Sequence, residues 1–321
     1  MKCLTIDVGG TYIKYGLVEN GIISCKGKKP TPAVPLKWGE DVDEELAILF
    51  RKKYREYFDT LREIFLELGD GIDGIAMSVP GILDSRTGYV YSGGALCYIS
   101  EINFADEVSR LCNGVPVTIE NDAKAAAMAE LSSGVLKGIK DASVVLFGTA
   151  IGGCTICNGE IIRGSNQFSG EFSSIKLRSS SGTKETWGNF GVHTMYDEYA
   201  AQKGIEKGAV TGEMLFEKAE AGDKKACEIV RNYCRLMCEP ICNLQVVTDP
   251  QVIAIGGGIS SQRLFIDMLR EEVERSCKEI KSPNYPTPTL VACKYRNDAN
   301  LIGAYLHFIN IMQAEENERT M

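Results

Sequence analysis

Cys3-Leu4-Thr5-Ile6-Asp7-Val8-Gly9-Gly10-Thr11 opens the chain, and its reading decides the fold. The run through Val8 reads as a strand, and the glycine pair turns it. A second strand follows over residues 13–18, and Asn20-Gly21 marks a hairpin into Ile22-Ile23. The same order returns about 140 residues later. Residues 143–147 are a strand, Gly148-Thr149-Ala150-Ile151-Gly152-Gly153 a glycine-rich turn, and Cys154-Thr155-Ile156-Cys157 a returning strand. Asn158-Gly159 is then a hairpin turn before Ile161-Ile162. One β-turn-β unit used twice, facing itself, would give a single ligand two phosphate-contacting turns. Two glycine hairpins alike by chance are the competing account.

Outward from these hairpins, strands alternate with helices. Residues 43–68 have helical spacing, with Leu46, Leu49, Phe50, Tyr54, Leu61, Ile64, Phe65 and Leu68 on one side. A strand over 74–79 closes at Pro80-Gly81, and a helix covers about 104–112. The strand 116–119 ends at Glu120-Asn121-Asp122, where an alanine-rich helix starts. Helices dominate 195–244. A strand at 252–255 is capped by Gly256-Gly257-Gly258, then follow a helix over 262–276, a strand over 289–293 and a last helix over 300–313. Residues 315–321 are expected to fray. The alternation indicates an α/β fold.

The 321 residues suit two compact lobes or one large α/β unit. A net charge of −8 argues against a nucleic-acid partner, whose phosphates reward a basic face. It leaves room for an anionic ligand, because a local loop and Mg²⁺ can bind phosphate inside an acidic protein. Of the twelve cysteines, Cys154 and Cys157 are spaced as a zinc or redox half-site. Their apolar run reads instead as strand core, and Cys234, Cys238 and Cys242 read as a buried helical stripe. Residues 1–7 carry no signal-peptide pattern and no apolar run is long enough to span a bilayer, so a cytoplasmic chain with reduced thiols and no membrane partner is expected.

Three glycine-rich turns each follow an apolar strand, where a missing Cβ lets backbone N–H groups approach phosphate oxygens. None is a Walker A loop or a G-x-G-x-x-G fingerprint. Asp7 sits beside the first turn. A carboxylate among phosphates needs a cation between, so Asp7 makes sense as a Mg²⁺ or metal-water contact; a turn-capping aspartate is the simpler alternative. Lys14, on the following strand, would offset phosphate charge or be an ordinary solvated lysine. Asn121 and Asp122 stand where a strand ends and a helix begins. There one of them is expected to cap the helix, and open α/β sheets also place ligands at that edge. A sugar hydroxyl needs a general base, a role open to Asp122, with Asn121 fixing a neighbouring hydroxyl.

The ordered set Asp7-Val8-Gly9-Gly10-Thr11, Pro80-Gly81-Ile82-Leu83-Asp84, Glu120-Asn121-Asp122-Ala123, Gly148-Thr149-Ala150-Ile151-Gly152-Gly153, Gly170-Glu171 and Ile255-Gly256-Gly257-Gly258-Ile259 resembles the ROK family of sugar kinases and sugar-responsive repressors. The resemblance implies an actin- and hexokinase-like fold, two ribonuclease H-like lobes with a central cleft. It implies a small N-terminal lobe over 1–120, closed by a C-terminal helix at about 300–321, and a large lobe over 121–299. It assigns Asp122 as base and Gly81, Asn121, Glu171 and Glu185 as sugar contacts. ATP is assigned to Asp7, Gly9, Gly10, Thr11, Lys14, Gly148, Thr149, Gly152, Gly257 and Gly258. The implied reaction is ATP- and Mg²⁺-dependent phosphorylation of a hexose-type hydroxyl, O6 of glucose or of a β-glucoside.

Departures from the family pattern are informative. Ser173-Ser174 stand where relatives carry the Gly-His of G-E-x-G-H, and the cysteine run of the structural zinc is missing. Its trace is residues 176–185, where Gly182 and Glu185 remain without any thiol. His193 and His307 lack cysteine partners at ligand spacing, so no structural zinc is expected. These features, with Gly93-Gly94-Ala95 and Gly170-Glu171-Phe172, resemble the zinc-less branch that includes the β-glucoside kinases. Ala150 stands where the phosphate turn usually has glycine, which fits only with φ below zero and space for the methyl. A sugar-responsive regulator would need a helix-turn-helix ahead of the first strand, and a catalytically inactive sugar-binding protein would not need Asp7, Asn121, Asp122 and Glu171 together. Relatives are often dimers, which makes a homodimer the suggested assembly; the sequence leaves that state and the identity of the sugar open.

Overall fold

A computed structural model of the chain describes residues 1–32, 34, 43–94, 96–177, 185–280, 282 and 284–320. Ala95 and residues 178–184 of the zinc-run trace, Gly182 among them, lie outside the described residues. The chain divides into two compact units, Met1–Ala129 with Asp298–Met321, and Glu130–Asn297.

In the first unit, β1 (Lys2–Val8), β2 (Tyr12–Glu19) and β3 (Ile22–Pro30) form an antiparallel meander. Asn20 and Gly21 both have positive φ, 51° and 77°, the twist that a two-residue hairpin turn requires. Helix α1 (Glu44–Leu68) starts at Asp43, whose side chain accepts the Leu46 N–H at 2.8 Å. After β4 (Gly74–Val79), a small sheet of β5 (Ile82–Asp84), β6 (Tyr89–Ser92) and β7 (Ile102–Asn103) precedes α2 (Phe104–Leu111), β8 (Val117–Asn121) and α3 (Asp122–Ser133). The main sheet runs β3-β2-β1-β4-β8, with β1, β4 and β8 parallel.

The central strand β1 is covered on both faces, as its nearly unbroken burial shows. Leu4, Ile6 and Val8 pack into a cluster with Tyr57, Phe58, Leu61 and Ile64 of α1 and Phe104 of α2. The period of two sends Cys3, Thr5 and Asp7 to the opposite face. There Cys3 packs with Ala304, Tyr305 and Phe308 of the C-terminal helix, Ala299–Thr320. That helix corrects the expected frayed tail, because helix continues to Thr320. The α1 stripe is also shifted from its sequence reading: Tyr57 and Phe58 are buried, whereas Leu46 and Leu49 are only half-buried.

The second unit repeats the plan. Strands β9 (Ala142–Phe147), β10 (Ile151–Cys157) and β11 (Glu160–Ile162) are antiparallel, and Asn158 and Gly159 again have positive φ, 54° and 83°. A two-stranded ladder, β12 (Lys176–Leu177) and β13 (Glu185–Thr186), leads into α4 (His193–Lys203), α5 (Gly212–Glu220) and α6 (Lys224–Thr248). Strand β14 (Val252–Gly256), α7 (Arg263–Glu279) and β15 (Leu290–Ala292) complete it. The sheet order is β11-β10-β9-β14-β15, with β9, β14 and β15 parallel. Strand by strand this is the topology of the first unit, so the paired hairpins are a structural repeat rather than a coincidence of glycines. Cys234, Cys238 and Cys242 are buried as the helical stripe predicts. Cys154 is buried but Cys157 is exposed, correcting the core reading of that pair: three residues apart in a strand, they point to opposite faces.

In the first unit the C-terminal helix meets α3 at Gly303, where an added Cβ would collide with the Ala125 carbonyl. Gly303→Ala is therefore expected to destabilise the fold by about 1–3 kcal/mol or more, the usual cost of overpacking. Urea unfolding, with a lowered midpoint at an unchanged slope, is the check.

Candidate active site

The C-terminal edge of β1, β4 and β8 gathers the polar residues of the first unit. Neighbouring registers place Asp7 opposite Ser78, and Ser78 opposite Glu120. Asp7 is buried at the end of β1. Its Oδ1 accepts Nδ2–H of Asn300 at 2.8 Å and the Ser78 hydroxyl at 3.4 Å, while Oδ2 lies 3.6 Å from Nζ of Lys14. Lys14 is thus an ion-pair partner of Asp7 from the adjacent strand rather than a purely solvated lysine. Next to them Gly9 donates its N–H to Tyr12 O at 3.1 Å, and Gly10 and Thr11 are exposed at the tip of the turn. The Thr31 hydroxyl donates to Gly9 O at 2.7 Å and fixes the base of that turn.

At the β8–α3 junction the structure divides the two candidate roles. Asn121 takes the cap: its Oδ1 accepts the N–H groups of Ala123 and Lys124 at 3.0 and 3.1 Å. Its Nδ2 donates to Gly81 O at 3.0 Å. Gly81 has φ +96° and abuts the Ser92 carbonyl, a place where only glycine fits, so its carbonyl is held toward Asn121. With the cap supplied by its neighbour, Asp122 starts α3 half-buried, its Oδ1 2.7 Å from the Ala123 nitrogen. Burial pushes the Asp122 carboxyl up to about 6. The Ala123 N–H pulls against that shift, the Asp7 carboxylate adds to it, and Lys124 opposes it. A carboxylate with an affinity for protons near neutrality has the property that a general base needs.

The nucleotide candidates of the second unit lie at the C-terminal ends of β9 and β14. Gly148 donates its N–H to Ala150 O and accepts that of Val192, both at 3.0 Å. Gly257, with φ +84°, presses against the backbone of Phe147, so the Gly148-Thr149 and Gly257-Gly258 turns lie side by side. Ala150 keeps a φ outside the left-handed region and its methyl is exposed, which meets both conditions for alanine in that turn. Gly152 is different: it lies inside β10, opposite Leu146, rather than in the turn. Glu171 immediately precedes a 3-10 turn over Phe172–Ser174, and Glu185 begins β13. The two segments are joined by the Trp187 N–H to Ile175 O bond, 2.8 Å, and by the stacked rings of Phe172 and Trp187. Ser173, at the departed Gly-His position, packs against Gly188. Among the described residues no group of three or more His, Cys, Asp or Glu side chains could hold a metal ion.

The ROK family profile matches residues 3–310. This chain belongs to the ROK family. Its curated relatives include a β-glucoside kinase of Listeria monocytogenes, 30% identical over 96% of this chain and 98% of that one. A β-glucoside kinase of Klebsiella pneumoniae is 28% identical over 99% and 100%. Among solved structures, a ROK family protein from Streptococcus pneumoniae in complex with sucrose superposes with a TM-score of 0.77, at 28% identity and 99% and 100% coverage. The ROK assignment thus agrees with the doubled α/β sheet. Asn300 and Ser78, the partners of Asp7, had no sequence signal; Asn300 reaches its place only through the return of the C-terminal helix to the first sheet.

The raised proton affinity of Asp122 carries a stability consequence. Above pH 6 the group is charged in both folded and unfolded chains, and burial makes that charge costly; below about pH 3, under its ordinary value of 3.8, it is neutral in both. Asp122→Asn should therefore stabilise the protein at pH 8 by up to about 3 kcal/mol and give almost no gain at about pH 3. Thermal melts at the two pH values measure the difference.

Proposed function

We propose that this ROK chain is an ATP-dependent sugar kinase in which Asp122 accepts the proton of the attacking hydroxyl. The supporting observation is the division of labour at the β8–α3 corner, where Asn121 caps the helix and Asp122 is left half-buried with a lifted proton affinity. As the sugar oxygen approaches the γ-phosphorus in line, Asp122 takes its proton and the backbone turns stabilise charge on the transferring group. In the first unit that turn is Gly9, Gly10 and Thr11, beside Asp7; the second unit has its own candidate turns at Gly148-Thr149 and Gly257-Gly258. Asn121, with one N–H of its amide on Gly81, has a second to offer a ring hydroxyl. Glu171 and Glu185 are the carboxylates assigned to the remaining hydroxyls.

Asp7 suits a magnesium ion accompanying ATP. One carboxylate oxygen is anchored by Asn300 and Ser78, and the other turns toward Lys14. Magnesium commonly takes one or two protein carboxylates and completes its shell with phosphate and water. When bound, the ion would offset charge on the phosphates. The preferred acceptor is a β-glucoside, a reading supported by the near full-length β-glucoside kinase relatives. The twelve free thiols and the use of ATP suit a cytoplasmic setting.

A coupled assay with ATP and Mg²⁺ across monosaccharides and β-disaccharides tests this reading. Turnover should be found on a hexose, with β-glucosides favoured. Asp122→Asn should lower kcat by about 10²–10⁴-fold, with sugar still bound. In the parent enzyme kcat/KM should climb with pH through about 6 and level above it, following ionisation of Asp122. An Asp122→Asn enzyme at full rate removes the residue from this role.

A further inference from the structure

Behind Asp122 the first unit holds buried polar side chains that the chemistry above does not use. Glu120, 1% exposed, precedes Asn121 on β8, and its Oε1 accepts the Asn121 N–H at 2.9 Å. Its Oε2 lies 3.7 Å from Nδ1 of His307, a buried residue of the C-terminal helix. Nε2 of the same ring faces the carbonyl oxygen of Ser85 at 3.4 Å. Both ring nitrogens therefore look at oxygens, one a carboxylate and one a carbonyl. An imidazolium, with an N–H on each nitrogen, suits both, whereas a neutral ring would turn a lone pair toward one of them. A carboxylate as buried as Glu120 also requires compensation by a cation and by donors.

We propose that His307, in its charged form, is a positioning residue for the general base. His307 holds Glu120, Glu120 holds the Asn121 peptide, and that peptide sets the corner from which Asp122 projects. Asn121 meanwhile ties the corner to Gly81 and to the first turn of α3, so a displaced Asn121 peptide would carry the base with it. Small misplacements of a reacting group cost rate steeply, while substrate binding elsewhere need not change. This rests on Asp122 being the base.

The test compares kcat and KM of His307→Leu with those of the double variant His307→Leu/Glu120→Gln, using ATP, Mg²⁺ and the sugar best accepted by the parent. The single variant removes the imidazolium from beside a buried carboxylate, and kcat should fall by about tenfold with KM for ATP within about twofold. Glutamine keeps an oxygen for the Asn121 N–H and needs no cation, so the double variant should regain most of the lost turnover. A role confined to stability would lower the melting temperature and leave kcat of the folded enzyme unchanged. That outcome overturns the proposal, as does a double variant no faster than the single. Asp122→Asn run beside them separates the two levels. Full activity there overturns the base itself, whereas an inactive Asp122→Asn with an unaffected His307→Leu overturns only the positioning role. Should the leucine variants not fold, ¹⁵N-histidine NMR of the unaltered chain decides. The chain has two histidines, and His193→Gln assigns the spectrum. Both His307 nitrogens should carry protons at pH 7.5; a neutral ring refutes the inference.

Discussion

A helix that starts directly from a buried strand must find partners for its first N–H groups, and at the β8–α3 corner Asn121 answers two of them. This capping underlies the chemistry proposed for the chain. Had Asp122 served as the cap, its charge would have been spread over backbone donors and its proton affinity driven down rather than up. Adjacent polar residues can look interchangeable in a sequence, yet here Asn121 is consumed by the cap and Asp122 keeps a carboxyl of raised proton affinity.

The same economy governs the turns. In both units a central strand runs out into a short glycine-bearing turn and returns antiparallel, and a parallel strand lies on the other side of it. Close approach of backbones is the common requirement. Gly257 fits against Phe147 only without a Cβ, and Gly81 fits against Ser92 for the same reason. The glycines thus do two different things: some, like Gly10 and Gly258, leave open space where a ligand can approach, while others let neighbouring segments touch.

Much of this was legible in the chain itself. The apolar run of β1, the Asn-Gly turns and the helical spacing of α1 from residue 43 are local signals, and local physics was enough to read them. The doubled hairpin gave the repeat, and the motif order gave the family. What escaped reading depends on residues far apart in sequence. Nothing near Asn300 points to Asp7, nearly three hundred positions away, and nothing near His307 points to Glu120. The small sheet of β5, β6 and β7 was missed because its strands are two to four residues long, too short for alternation to show. Cys157 was misread because an apolar run does not say which face of a strand is covered.

The route of the backbone has a bearing on how the protein is made. Cys3, Val18 and Ala76 face residues 304–308, so this side of the first sheet lacks that cover until residues 304–308 have left the ribosome. The second unit, continuous from Glu130 to Asn297, has all of its own strands and helices available earlier. During synthesis the unit that contains residues 1–129 is thus completed after the unit that follows it, its apolar surface open to chaperones or to aggregation in the interval. The closing step is a long-range one, the docking of a single helix, buried all round in its first turns, onto a waiting sheet.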